Sequence, residues 1–178
     1  MLAARRRPAL AGACWAASIA VKWVSLVFLP LRAVEAYRQG RKVSHVGFAV
    51  ALGLIAAVAF WRYGPDWLES FGNFSGQLRR TTSVSTARWL EAIGLSEDAA
   101  VAVLTVLFVA GYLWLLREAW RRRARLALCA CFLLLTASWL VPWYAVWAVP
   151  LAAIERDRTA QVLSLGICAY LLRAAVPL

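Results

Sequence analysis

Charge is scarce in this chain: only 16% of its 178 residues are Asp, Glu, Lys or Arg, and runs such as "AVAVLTVLFVAGYLWLL" hold none. A soluble domain of this length could not hide several such stretches without exposing large apolar patches. Histidine occurs once, as His45, without companion ligands. The four cysteines, Cys14, Cys129, Cys131 and Cys168, all lie inside apolar segments, and 129 and 131 point to different sides of a helix. Neither a metal site nor a disulfide framework is indicated. The chain also lacks a glycine-rich phosphate loop, a nucleophile elbow, and any intramembrane Asp or Glu that would suggest a proton relay. Asp66 and Glu69 have no partner base in "YGPDWLESF". No catalytic residue, metal or cofactor therefore follows from the residues. No secretory leader stands out either, because Lys22 interrupts the first apolar stretch.

What is present is hydrophobicity, at 63% of residues, and a basic excess of +11 built from 18 arginines and two lysines. Such an excess raises the question of nucleic acid, since basic patches neutralise phosphates. Here the charge sits in short blocks between apolar runs, the pattern of cytoplasmic loops. The expectation is an integral membrane protein that does not bind nucleic acid. The blocks are Arg5–Arg7, Arg32–Lys42, Arg117–Arg125 and Glu155–Arg158, with 14 basic residues against four acids. Tyr63–Asp98 differs, with three arginines against five acids.

The positive-inside rule places the four blocks in the cytoplasm and Tyr63–Asp98 outside, and the parity of crossings then fixes the rest. The expected fold is all-α: a polytopic membrane helix bundle of about five crossings or half-crossings, with a re-entrant-type hairpin. Residues 8–31 form the short helical hairpin, turning near Lys22 and Trp23, followed by a cytoplasmic loop at 32–42. A span at 45–62 leads to an outer loop at 63–98, and a second span at 99–116 to a cytoplasmic loop at 117–125. A third span covers 126–141, ended by Pro142, which opens a short return helix at 142–154. A last span covers 159–176. The other reading of the penultimate region is one long kinked span from Leu126 to Ile154. In the outer loop, Ser85–Gly94 reads as an interfacial amphipathic helix with Trp89, Leu90 and Ile93 on one side, stopped by Gly94, and Ser96 reads as the N-cap of the next span. A re-entrant hairpin needs protein or a wet cavity around it, which implies other subunits or upstream helices.

Five residues are candidates for binding. Lys22 lies about ten residues from either end of its apolar segment, too deep to snorkel comfortably. It is either a cation facing a lipid phosphate or an interfacial lysine at a helix end. Arg79 and Arg80, in "SGQLRRTTSVST", suit a phosphate or sugar through bidentate hydrogen bonds, or are solvated loop arginines. Trp143 and Tyr144 could stack on a sugar ring, or anchor an aromatic belt with Trp139. Arg173 is a snorkelling residue or the partner of a buried carboxylate.

Taken together, "LAGACWAASIAVKWVSLVFLPLRAVEAYRQGRK" and "LVPWYAVWAVPLAAIERDR" resemble the second half of a multi-pass GT-C glycosyltransferase. More narrowly, they resemble bacterial mannosyltransferases that use polyprenyl-phosphate mannose. The resembling features are the short helix Leu10–Lys22, the apolar helix Val24–Pro30 ending at Leu-Pro before a basic loop, Pro142–Tyr144, and Pro150. The resemblance implies an inverting transfer of a hexose, mannose in the narrower case, from polyprenyl phosphate to a glycan or glycolipid acceptor at the outer face of a bacterial plasma membrane. It implies that Lys22 holds the donor phosphate with help from Arg79 and Arg80, and that Trp143 and Tyr144 shape the sugar or acceptor site. The family's catalytic aspartate, in an early outer loop, has no counterpart here. The expectation is a carboxy-terminal portion, inactive by itself, that lacks an amino-terminal segment. The reading from another class is a small non-enzymatic membrane scaffold or subunit.

Overall fold

The computed structural model describes residues 8–22, 24–41, 45–68, 82–138, 140–141 and 144–175. Among these residues the chain is all-helical, with eight α-helices, one 3-10 turn and no strand. Its contacts divide it into two units: residues up to 74 with Glu118–Ala124, and residues 75–117 with 125 onward.

The first unit holds α1 (Pro8–Val21), α2 (Ser25–Arg38), α3 (His45–Tyr63) and the 3-10 turn Gly64–Leu68. Pro8 opens α1, a position where its missing N–H would have had no intrahelical acceptor. α1 packs chiefly along α3 and meets α2 less extensively. The buried positions of α1 are small residues, Gly12 and Ala16, one turn apart. A Cβ on Gly47 of α3 would run into the backbone of Ala9. Backbones meet this closely only where side chains are nearly absent, the mode by which helices associate in lipid. α3 has no buried residue and exposes Val50, Leu54 and Val58. With the 3-10 turn it makes a stretch of 24 residues, long and apolar enough to cross a membrane. Gly64, at φ +63°, ends the α-helix, and Trp67 folds back edge-on to Phe60 at 5.3 Å.

α2 differs from the sequence expectation. The Leu-Pro pair was expected to end it, yet the helix runs through Pro30 to Arg38 and absorbs much of the expected loop at 32–42. Pro30 forfeits only the bond to the Leu26 carbonyl. Beyond it the helix gains a tether: Glu35, almost fully buried, pairs with Arg32 and accepts a hydrogen bond from the Ala124 amide at 3.2 Å. Gly40, at φ +65°, then closes the helix, with the Arg41 amide on the Ala36 carbonyl and its own amide on Tyr37. This is the paired C-terminal motif that favours glycine.

The second unit begins with α4 (Thr86–Ala92), which ends in the same motif at Gly94, with the Leu95 amide on the Leu90 carbonyl. Ala87, not Trp89 or Ile93, is the buried position of α4. It clusters with Ala100 and Leu104, and Leu90 and Leu95 pack on the group. Trp89 and Ile93 stay exposed, so the apolar residues expected to share one side are divided between core and surface. The Ser96 hydroxyl accepts the Ala99 amide, capping α5 (Glu97–Trp120). Glu97 and Asp98 sit in the first turn, where the helix dipole favours them. α5, with 24 residues, is the second helix long and apolar enough to cross a membrane, and it extends past the expected end at 116 into the expected loop at 117–125.

α6 (Leu126–Thr136) is the core of this unit: Leu126 to Cys131 are all buried, as is Leu134. It packs on α7 (Ala145–Glu155) and α8 (Arg158–Ala175), which also pack on each other. α6 stops at Thr136, short of the expected boundary near Val141. The cause is long-range: the Thr82 side chain donates to the Leu140 carbonyl and accepts from the Leu140 amide, and the Thr86 hydroxyl takes the Leu135 carbonyl. These bonds satisfy backbone groups that a continuing helix would have satisfied itself. Pro150, like Pro30, lies inside its helix without ending it.

Candidate functional site

Lys22 occupies the break between α1 and α2. Its amide closes α1 on the Ser18 carbonyl at 3.0 Å, and its own carbonyl accepts from the Ser25 amide at 3.2 Å. The hydroxyls of Ser18 and Ser25 bond to each other across the break at 2.6 Å. The Lys22 side chain is exposed, and so is that of Val21. α2 begins with Val24 at its N-cap, so no side chain caps its first turn. A cation, two hydroxyls and the positive end of a helix dipole thus meet at one interruption, a set of groups with affinity for an anion.

Arg79, Arg80, Pro142 and Trp143 lie outside the described residues, as do Trp23 and Trp139. Tyr144 immediately precedes α7, with its amide on the Val141 carbonyl at 2.9 Å. Its ring stacks on Trp147 at 4.1 Å with an interplanar angle of 22°. The two half-buried rings therefore cover one face of each other and leave the opposite faces for other contacts. Lys22 belongs to the first unit and Tyr144 to the second. Arg173 is exposed in the last turn of α8, where a cation complements the helix dipole. Among the described residues no group of His, Cys, Asp and Glu could hold a metal ion.

One polar cluster was read in sequence only as a loop. Arg125 makes a bidentate pair with Asp157, at 2.6 and 2.9 Å, and its guanidinium lies 5.5 Å from the Trp114 ring centre. Asp157 also caps α8 by accepting the amides of Thr159 and Ala160. Glu155 caps α6 by accepting the amides of Leu126 and Ala127, both at 3.0 Å. The Arg125 hydrogen bond holds the Asp157 carboxyl below its ordinary pKa, against desolvation, with the two amides assisting. Asp157 directly before an apolar run is a recognisable cap in sequence, whereas the partners of Arg125 and Glu155 are not local. A second missed group is Tyr170, whose hydroxyl donates to the Val84 carbonyl at 3.0 Å and accepts from the Trp89 indole at 2.9 Å.

No protein-family model, curated protein or solved structure matches the chain.

Proposed function

We propose that the chain is the carboxy-terminal, donor-binding part of a multi-pass membrane glycosyltransferase. In this reading it transfers a hexose, and more narrowly mannose, from polyprenyl phosphate to a glycan or glycolipid acceptor on the outer face of a bacterial plasma membrane. Its helices form the bundle of about five crossings or half-crossings, with α1 and the start of α2 as the re-entrant pair. Lys22 meets the donor phosphate, Arg79 and Arg80 assist, and Trp143 with Tyr144 receives the sugar or acceptor. The base is an aspartate from a segment with no counterpart in this chain. The observation that carries the reading is the interrupted helix pair at Lys22, where a cation, the Ser18 and Ser25 hydroxyls and an uncapped helix start come together. Interrupted helices in lipid gather at binding sites because their free backbone groups need a polar partner.

Donor binding by the purified chain tests this without requiring turnover. A short-chain polyprenyl-phosphate mannose should bind in detergent, and Lys22→Met should weaken it by roughly tenfold to a hundredfold, the loss of one charge-assisted bond to phosphate. The substitution puts an apolar, unbranched side chain of similar size in place of a charge, so the helices should survive. Equal binding by the wild type and Lys22→Met would remove lysine from the donor site. Failure of the wild type to bind would favour the non-enzymatic scaffold. The crossings are tested separately: maleimide labelling of cysteines placed at Ser83 and at Arg122 should come from opposite faces of the membrane.

A further inference from the structure

We propose that the corner formed by the end of α2 and the turn after α5 docks the phosphate headgroups of anionic phospholipids. Two basic blocks far apart in sequence are fastened together there. The Arg38 Nε donates to the Trp120 carbonyl at 3.1 Å, and its guanidinium lies 4.7 Å from the Trp120 ring centre. The Gln39 side-chain Nε2 donates to the Arg122 carbonyl at 3.3 Å, and the Ala124 backbone amide donates to the Glu35 carboxylate at 3.2 Å. The outcome is one exposed corner carrying Arg38, Arg41, Arg121, Arg122 and Arg123. Its carboxylates are already engaged, Glu35 with Arg32 and Glu118 with Arg121. Among the described residues, Arg41, Arg122 and Arg123 form no ion pair, so their charges are left for an external anion.

Two further observations favour a lipid surface. Tyr37 and Trp120, both largely exposed, pair at 6.4 Å beside the arginines, at the end of a helix long enough to cross a membrane. Amphipathic rings beside cations are the composition of the headgroup level. The other observation is backbone strain. α5 ends in the same paired motif as α2 and α4, with the Arg123 amide on the Glu118 carbonyl and the Arg122 amide on Ala119. The left-handed position is glycine in the other two, Gly40 and Gly94, but here it is Arg122 at φ +70°. Holding an arginine where glycine is less strained points to a use for its charge. Arg156, at φ +54°, repeats this at the end of α7, in another basic block. Clusters of four to eight Lys or Arg at the end of a span are the sequence form of anionic-lipid recognition. The inference rests on the membrane-spanning part of the reading above and not on sugar transfer.

The full chain, purified in a neutral detergent, is titrated with fluorescent phosphatidylglycerol and with phosphatidylcholine of the same acyl chains. Phosphatidylglycerol should bind at least roughly tenfold more tightly, with the preference shrinking at high salt. The triple variant Arg41→Gln, Arg122→Asn, Arg123→Gln leaves the Arg38, Gln39 and Glu35 tethers in place. It should lose on the order of tenfold to a hundredfold in phosphatidylglycerol affinity. Arg62→Gln, at the other end of α3, should change it less than about twofold. Equal affinity for the two lipids, an indifferent triple variant, or an equal loss in Arg62→Gln would overturn the proposal. So would displacement of the lipid by millimolar inorganic phosphate, which would make the corner a free-anion site, or by an RNA oligonucleotide, which would make it a nucleic-acid surface. A chain that stays dispersed without detergent would instead sink the membrane reading beneath it.

Discussion

The two units hold themselves together by different chemistry. In the first, α3 buries none of its residues, α1 buries only the small Gly12 and Ala16, and Gly47 of α3 comes up against the Ala9 backbone of α1. In the second, α6 buries six residues in a row, and side-chain oxygens from other segments cap or hold its neighbourhood at both ends. The first arrangement suits an apolar solvent, which offers no gain for burying leucine and rewards close van der Waals approach. The second resembles a protein core, with polar backbone groups satisfied before they are enclosed. The difference locates where each kind of substitution should hurt.

The largest expected effect is in the second unit. Asp157→Ala removes a bidentate ion pair and the α8 cap together, and leaves Arg125 without its carboxylate. A destabilisation of about 2–4 kcal/mol should follow, seen as faster amide exchange in α6 and α8 but not in α1 or α3. The same contrast can be read by pH. Because the Asp157 carboxyl is held below its ordinary value, its contribution is fully present above the unfolded carboxylate range and is lost as pH falls through the folded value. Acidification should therefore loosen α6 and α8 only below about pH 4. Loosening that begins nearer neutrality would mean another group controls this end of the unit.

Next comes the close approach at Gly47. Gly47→Val places a branched side chain against the backbone of Ala9, which cannot move aside as a side-chain tip could. A loss of roughly 1–3 kcal/mol is expected, with exchange rising in α1 and α3 and unchanged in α6. If Gly47→Val were tolerated as readily as Gly53→Val, whose Cβ would meet open space, the backbone approach at Gly47 would not be what joins these helices. The smallest effect is a gain. Arg122→Gly relieves a left-handed arginine and should stabilise the end of α5 by up to about 1 kcal/mol in detergent, measured as a rise in Tm. Arg156→Gly should act likewise in the second unit. The lipid preference proposed for the Arg122 corner should weaken in Arg122→Gly even as stability rises.

Local features were legible in the sequence. Gly94 as a helix stop and Ser96 as the cap of α5 depend on neighbours within four residues, and the structure has both. The long helices α3 and α5 were legible from uninterrupted apolar runs. The prolines misled at Pro30, because a helix can give up one hydrogen bond when its far end is tethered, and that tether comes from Ala124. α6 was read too long for the converse reason: Thr82 and Thr86 claim the backbone beyond it. Of the candidate binding residues, Lys22 and Tyr144 have described positions. The break at Lys22 was legible because a charge inside an apolar run marks an interruption.

The sequence by itself determined an all-helical fold for the described residues, the long apolar runs of α3 and α5, and the gathering of charge into blocks. Composition and short-range hydrogen bonding are enough for that, since a helix satisfies its own backbone within four residues. Only the tertiary structure decided that the basic blocks at Arg38 and Arg121–Arg123 share one corner, that Glu155 caps α6, and that Asp157 pairs with Arg125. It also decided that α1 lies along α3 with a close backbone approach at Gly47 and Ala9. Each of these joins groups tens of residues apart, and such pairings follow from which backbone groups remain unsatisfied once the helices have formed.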